Sequence, residues 1–297
     1  MTVATEDIAA GHVVQFYRHD QELARTVGQY LADTIRAGGV AIAVTTEARR
    51  RALEAEVASH GIDPAAARRD GSLLTFDAAD TLAGLMRGGR IDGRAVRELT
   101  RTLVPANDHS DRPIRVYGEM VNLLWDSGNV AGALELERLW DALQPELHFS
   151  ILCAYHSEVA KSDREHVFEQ LCGLHSSVTA EFAAECASPG AARRFVSGAM
   201  RLWGFEGTPL GRAELVVSEL ATNAVIHGRS TFGIVARSTD SGVRVSVRDD
   251  NPTPPTVRDY GPLAMSGRGL RLVSRLAADW GTDAGGDGKT VWAELSR

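Results

Sequence analysis

Residues 218–228 read SELATNAVIHG, within the longer stretch LGRAELVVSELATNAVIHG (210–228). The spacing predicts a helix over 210–227. Leu215, Val216, Val217, Leu220, Ala221, Ala224, Val225 and Ile226 cover most of its circumference, the pattern of a buried helix. Glu219, Asn223 and His227 stand four residues apart, so they form one polar line along it. A carboxylate, an amide and an imidazole are costly to bury without partners. Two readings follow: satisfied core groups or a solvent-facing edge on one side, a line that holds a ligand on the other.

The downstream residues favour the ligand. VRDDNP (247–252) ends a strand pattern with two carboxylates, SGRGLRLV (266–273) places Gly267 and Gly269 at a helix start, and GGDGKTVWAEL (285–295) leads into a strand. Glycine permits close backbone approach, and the free N–H groups of a helix start bind anions. Together these supply a carboxylate for a base, a glycine turn for phosphates and an amide oxygen for Mg²⁺. Two other nucleotide motifs fail on spacing. A P-loop needs glycine five residues before Gly288, where Asp283 stands, and a strand rather than a helix follows Thr290. The dinucleotide fingerprint needs a third glycine where Leu272 stands.

Composition narrows the class. With 32 basic and 39 acidic side chains in 297 residues, the net charge of −7 gives no nucleic-acid footprint. Cys153, Cys172 and Cys186 form no CxxC motif and, being odd in number, no closed disulfide set, which suits reduced thiols. No apolar run reaches the roughly 18 residues of a membrane span, and the first residues lack the features of a signal peptide. The expectation is a cytoplasmic protein that touches neither membrane nor nucleic acid.

Two architectures succeed one another. HVVQFY (12–17), VAIAVT (40–45), SLLTF (72–76), IRVYGEM (114–120) and FSILCAY (149–155) have the content of buried strands, with helical stretches between them. This alternation predicts an α/β domain with a mostly parallel sheet over 1–157. Residues 158–177 read as a helical connector, within a longer stretch (157–187) that carries no strand signal. Over 178–297, helices (190–203, 210–227) and strands (FGIVARS, VRVSVRD, TVWAEL) come in blocks, with a hairpin turn at 239–242, so this domain is α+β.

The order E-L-x-x-N-A-x-x-H-G, D-x-N at a strand end, G-x-G-L and G-K-T-V, spanning about 178–297, resembles the GHKL ATPase superfamily. Within it the chain is most similar to the anti-sigma regulatory factors of the serine-protein kinase type. That resemblance implies a Bergerat-type ATP-binding sandwich that takes ATP and Mg²⁺. Asn223 would coordinate the Mg²⁺, Glu219 would act as general base, and Asp249 would bind the adenine amino group. Gly267 and Gly269 would lie against the phosphates, Arg268 could reach one, Thr290 would back the adenine, and His227 fits the pattern by position. Three departures stand out. Asp249-Asp250-Asn251 lacks the usual middle glycine, Lys289 intervenes between Gly288 and Thr290, and the lid segment 252–266 is short with four prolines. The implied activity is a partner switch: sequestering a sigma factor and phosphorylating a serine of an anti-anti-sigma protein of the STAS type. Members of this branch tend to be dimers, which leaves a homodimer open. Two alternatives stay in view: an ATP-binding regulator that only sequesters, and a sensor histidine kinase with His166 or His175 as phosphoacceptor.

GHVVQFY, RVYGEM, LELERLW and LCAYH make residues 11–156 similar to the MEDS sensory domain family, which implies a RecA/KaiC-like parallel sheet. Where a nucleotide-binding relative places its phosphate loop, this chain has RHDQEL (18–23), unsuited to that task. His12, Cys153, Tyr155 and His156 fall at strand ends, where a sensor site for a metal or haem is one reading and buried structural groups the other. Glu119, at the end of its strand, is a further candidate.

Overall fold

The structure, a computed structural model, describes residues 8, 10–104, 112–157, 165–228, 230–254, 268–285 and 288–297. The chain divides into two compact units, one spanning Ile8–His175 and the other containing Ser176–Arg297. Among the described residues, no helix is long and apolar enough to cross a membrane.

The first unit runs β1 (His12–Tyr17), α1 (Asp20–Arg36), β2 (Val40–Thr45), α2 (Glu47–Ser59), α3 (Pro64–Asp70), β3 (Leu73–Asp77) and α4 (Ala78–Leu85). A two-residue hairpin pair follows, β4 (Met86–Arg87) and β5 (Arg90–Ile91), then α5 (Gly93–Leu103), β6 (Ile114–Gly118), α6 (Met120–Asp126), α7 (Val130–Leu147), β7 (Ser150–His156) and α8 (Glu165–Leu174). The main strands lie in the order β1-β7-β6-β2-β3, and every pairing is parallel. A parallel sheet covered on both faces needs apolar side chains on both, which is why VAIAVT and ILCAY read as unbroken runs. All six residues of β1 are buried, as are Ala41–Thr45 of β2.

The second unit runs β8 (Ser177–Phe182), α9 (Ser188–Leu202), α10 (Gly207–Asn223), a π-helical turn (Ala224–Gly228), β9 (Phe232–Thr239), β10 (Gly242–Asp249), α11 (Arg268–Leu276), β11 (Asp279–Gly285) and β12 (Gly288–Ser296). Its strands are ordered β11-β12-β10-β9-β8, all antiparallel. Helices α9 and α10 pack on each other, and α10 lies against β10 and β12. Inward positions therefore alternate: Val243, Val245 and Val247 are buried on β10, facing Leu295, Ala293 and Val291 of β12.

Two expectations change here. The stretch 157–187 does contain a strand, β8, whose six residues SVTAEF are all buried. Its alternating Val, Ala and Phe are masked by the helix-favouring sequence on both sides, and pairing with β9 overrides that local preference. Within the expected connector, residues 165–174 form α8 of the first unit, and 158–164 lie outside the described residues. Helix α10 is also less buried than its composition predicts. Leu215 is 50% exposed, and Ile226, in the π turn that follows, is 56% exposed, so the helix has a core face of Val216, Val217, Leu220 and Ala221 and an open side.

Candidate nucleotide site

The polar line of α10 lies on its partly open side. Glu219 and Asn223 are half-buried and His227 is exposed. A carboxylate and an amide in this position keep access to solvent, so neither requires a protein partner to offset burial. The α-helix ends at Asn223, and the π turn carries Ala224–Gly228. His227 therefore lies in this wider turn and not in the α-helix that carries Asn223. The backbone carbonyl of His227 instead accepts a hydrogen bond from Asn251 Nδ2 at 2.9 Å.

Gly269, in the first turn of α11, closes against this line. A Cβ at Gly269 would lie 2.5 Å from Glu219 Oε2 and 3.6 Å from Asn223 Nδ2. The start of α11 and the two polar side chains of α10 thus share one small space that any larger residue would invade. Gly228 plays a similar part at the other end of the site, where a Cβ would meet Asp249 Cβ at 2.8 Å. The π turn, the end of β10 and Asn251 are held together by these contacts.

Asp249 is buried at the last position of β10, on the same face as Val245 and Val247. Its Oδ1 accepts from Lys289 Nζ at 2.7 Å and from the Asn251 backbone N–H at 2.9 Å. Lys289 is buried too and also donates to the Asn251 carbonyl at 3.1 Å. The strand register explains the pair: Asp249 lies directly opposite Lys289, whereas Thr290 lies opposite Arg248. Successive side chains of a strand alternate faces, so Thr290 points to the side of the sheet away from Asp249. Thr290, expected to back the adenine, therefore faces away from Asp249, and Lys289 faces it. The GKT spacing showed that Lys289 intervenes; only the register shows which of the two faces Asp249.

The structure gathers Glu219, Asn223 and Gly269 in one place, and Asp249, Lys289, Asn251 and Gly228 around the neighbouring strand end. Arg268 is the first described residue of α11, without a described side chain, and Gly267 lies outside the described residues together with most of the lid segment.

Comparison with known proteins accords with this division. Residues 11–176, more than half of the chain, match the family model MEDS: MEthanogen/methylotroph, DcmR Sensory domain. Residues 182–295 match the histidine kinase-like ATPase domain. No curated protein matches the chain. Among solved structures, the histidine kinase domain from the Erythrobacter litoralis EL346 blue-light activated histidine kinase is similar at 16% identity. The match covers 92% of this chain and 94% of that one at a TM-score of 0.25, a superposition too loose to equate residues. The chain belongs to the MEDS family, and behind its sensory domain it carries a histidine kinase-like ATPase domain.

Proposed function

We propose that the second unit binds ATP with Mg²⁺ along the open side of α10 and acts as a serine-protein kinase in an anti-sigma partner switch. The carrying observation is the close approach of Gly269 to Glu219 and Asn223. An amide and a carboxylate offer hard oxygen donors, the kind that suit Mg²⁺. The glycine leaves room for phosphate oxygens at the start of a helix, where backbone N–H groups attract anions. The donor set and the cradle therefore fit the nucleotide that the ATPase domain implies.

In this reading Asn223 holds the Mg²⁺, Gly267, Arg268 and Gly269 face the phosphates, and Asp249 Oδ2 accepts from the adenine amino group. Lys289 takes over the part expected of Thr290, fixing the Asp249 carboxylate from the neighbouring strand. His227 shapes the site through its backbone carbonyl. Bound ATP–Mg²⁺ supplies the phosphoryl group and neutralises its charge. Glu219, one helical turn before Asn223 and open to solvent, takes the proton from an incoming serine hydroxyl. The partners are a sigma factor, held inactive, and an anti-anti-sigma protein that presents the serine, all in the cytoplasm.

A binding-only regulator remains the second reading, because half-exposed Glu219 sits equally well beside a bound nucleotide that is never cleaved. The two separate on one experiment: phosphorylation of the antagonist by wild type and by Glu219→Ala, with sigma binding measured in parallel. Loss of phosphorylation with sigma binding intact supports the kinase; absence of phosphorylation by the wild type supports sequestration. Of the two phosphoacceptor candidates for a histidine kinase, His175 has its side chain fully buried beside Glu137, and the side chain of His166 lies outside those described.

A further inference from the structure

We propose that His12, Glu137, Cys153 and His175 form a four-ligand site for a divalent transition-metal ion, zinc above all, inside the sensory domain. All four residues are buried, and one ligand atom from each lies within 4.8 Å of all the others. Four elements contribute: the first residue of β1, the middle of α7, the middle of β7 and the residue that follows α8. Because β1 and β7 pair in parallel with Val14 opposite Cys153, the side chains of His12, Cys153 and Tyr155 share one face of the sheet. Helix α7 brings Glu137 onto that face, and the end of α8 brings His175.

Four of the six donor–donor distances lie near the edges of a metal-bound tetrahedron. Glu137 Oε2 lies 2.9 Å from His12 Nε2, 3.2 Å from Cys153 Sγ and 3.5 Å from His175 Nε2, and Cys153 Sγ lies 3.6 Å from His12 Nε2. Metal–ligand lengths of about 2.0–2.3 Å give tetrahedral edges of roughly 3.3–3.7 Å. The two remaining edges, from His175 to His12 and to Cys153, lie within 4.8 Å.

The outer atoms of the ligands are held as a metal site needs them. His175 Nδ1 hydrogen-bonds to the Leu171 carbonyl at 2.6 Å, which makes Nδ1 the protonated nitrogen and leaves the lone pair on Nε2 facing the cluster. His12 Nδ1 lies 3.6 Å from an Asp141 carboxylate oxygen, within ion-pair range and short of the hydrogen bond that a metal-bound imidazole donates to its carboxylate. Tyr155 donates its hydroxyl to Glu137 Oε1 at 2.7 Å, turning Oε2 toward the other three donors. A thiolate, a carboxylate and two neutral imidazoles sum to −2, so a divalent cation leaves the buried site neutral. With soft sulfur and imidazole among the donors, Mg²⁺ and Ca²⁺ are disfavoured.

Without metal, the same residues make a buried ion pair. Burial opposes charge on His12, but Asp141 and Glu137 outweigh it and hold the imidazole up to about 9. Burial also opposes charge on Glu137, and His175 and His12 together keep its carboxyl well below the usual range. Burial, with Glu137 beside it, pushes the Cys153 thiol well up. His156, expected among these residues, is exposed and contacts the Arg18 carbonyl instead. His175 is the last residue of its unit, so the ion would pin the chain where it leaves the sensory domain.

The test is titration of the full chain, stripped with chelator, by Co²⁺ and then Zn²⁺. One Co²⁺ per chain is expected, with intense tetrahedral d–d bands, a thiolate-to-cobalt charge-transfer band, and displacement by Zn²⁺. Cys153→Ser should remove the charge-transfer band, whereas replacing Cys172 and Cys186 with Ala should leave it. Tyr155→Phe, which keeps the packing, should weaken metal affinity about 10-fold or more. Failure of the wild-type chain to take up stoichiometric Co²⁺ or Zn²⁺ overturns the proposal. So does a bound cobalt without a charge-transfer band, whether or not the variants fold.

Discussion

Each unit places a glutamate close to polar groups, and the two do opposite things with it. In the parallel-sheet unit, Glu137 is sealed off from solvent and surrounded by His12, Cys153, Tyr155 and His175, so each of its oxygens is engaged. In the antiparallel unit, Glu219 stands half-open on a helix that keeps its apolar side for the sheet. A closed constellation can hold a fixed ion and stabilise a fold; an open one can admit a substrate and release a product. Burial, more than residue type, separates the two roles.

The comparison can be broken first at its closed end. Glu137→Ala removes the one anion that serves two imidazoles and a phenol, and should cost about 3–5 kcal/mol, because breaking a buried ion pair strands its partners. Urea denaturation followed by circular dichroism measures this, and a loss below about 1 kcal/mol would mean that the cluster is not structural. The second unit has its own closed pair, Asp249–Lys289. Lys289→Met should cost about 3 kcal/mol by leaving the Asp249 carboxylate buried without its cation. A neutral result would show that Asp249 finds solvent on its own.

The open end should respond in function rather than stability. Gly269→Ala sets a methyl against the flexible end of Glu219, which can rotate away, so the change in stability should stay within about 1 kcal/mol. The same methyl fills phosphate space, and ATP affinity should fall about 10-fold, or about 1.4 kcal/mol. Unchanged ATP affinity would separate α11 from the nucleotide site. Smallest of all is Leu215→Ser, on the exposed side of α10, expected within about 0.5 kcal/mol by thermal unfolding. A larger loss would reveal packing on that face.

Much of this was legible in the sequence, and the gaps have physical causes. The strands of the first unit announce themselves because both sheet faces are buried, so VAIAVT cannot be mistaken for a surface segment. Strand β11, DWGTDAG, escaped notice because it is a largely exposed edge strand with little apolar content; its hydrogen bonds to β12 define it. The line of Glu219 and Asn223 was visible in helical spacing, whereas the π turn that carries His227 leaves no mark in that spacing. Lys289 was read as an intruder before Thr290, and only strand pairing turns it toward Asp249. Glu137 was hidden in a helix whose pattern explains itself, and His175 in a stretch read as a connector. Their meeting with His12 and Cys153 depends on contacts between opposite ends of a domain, which local sequence does not carry.

On the proposed function, the open side of α10 holds a magnesium–nucleotide pair through Asn223. Calorimetric titration of ATP into wild type and Asn223→Ala, each with Mg²⁺ and with chelator, addresses it directly. Wild type should bind ATP markedly more tightly with Mg²⁺, and Asn223→Ala should lose this difference. Equal binding by the two proteins under both conditions would contradict it.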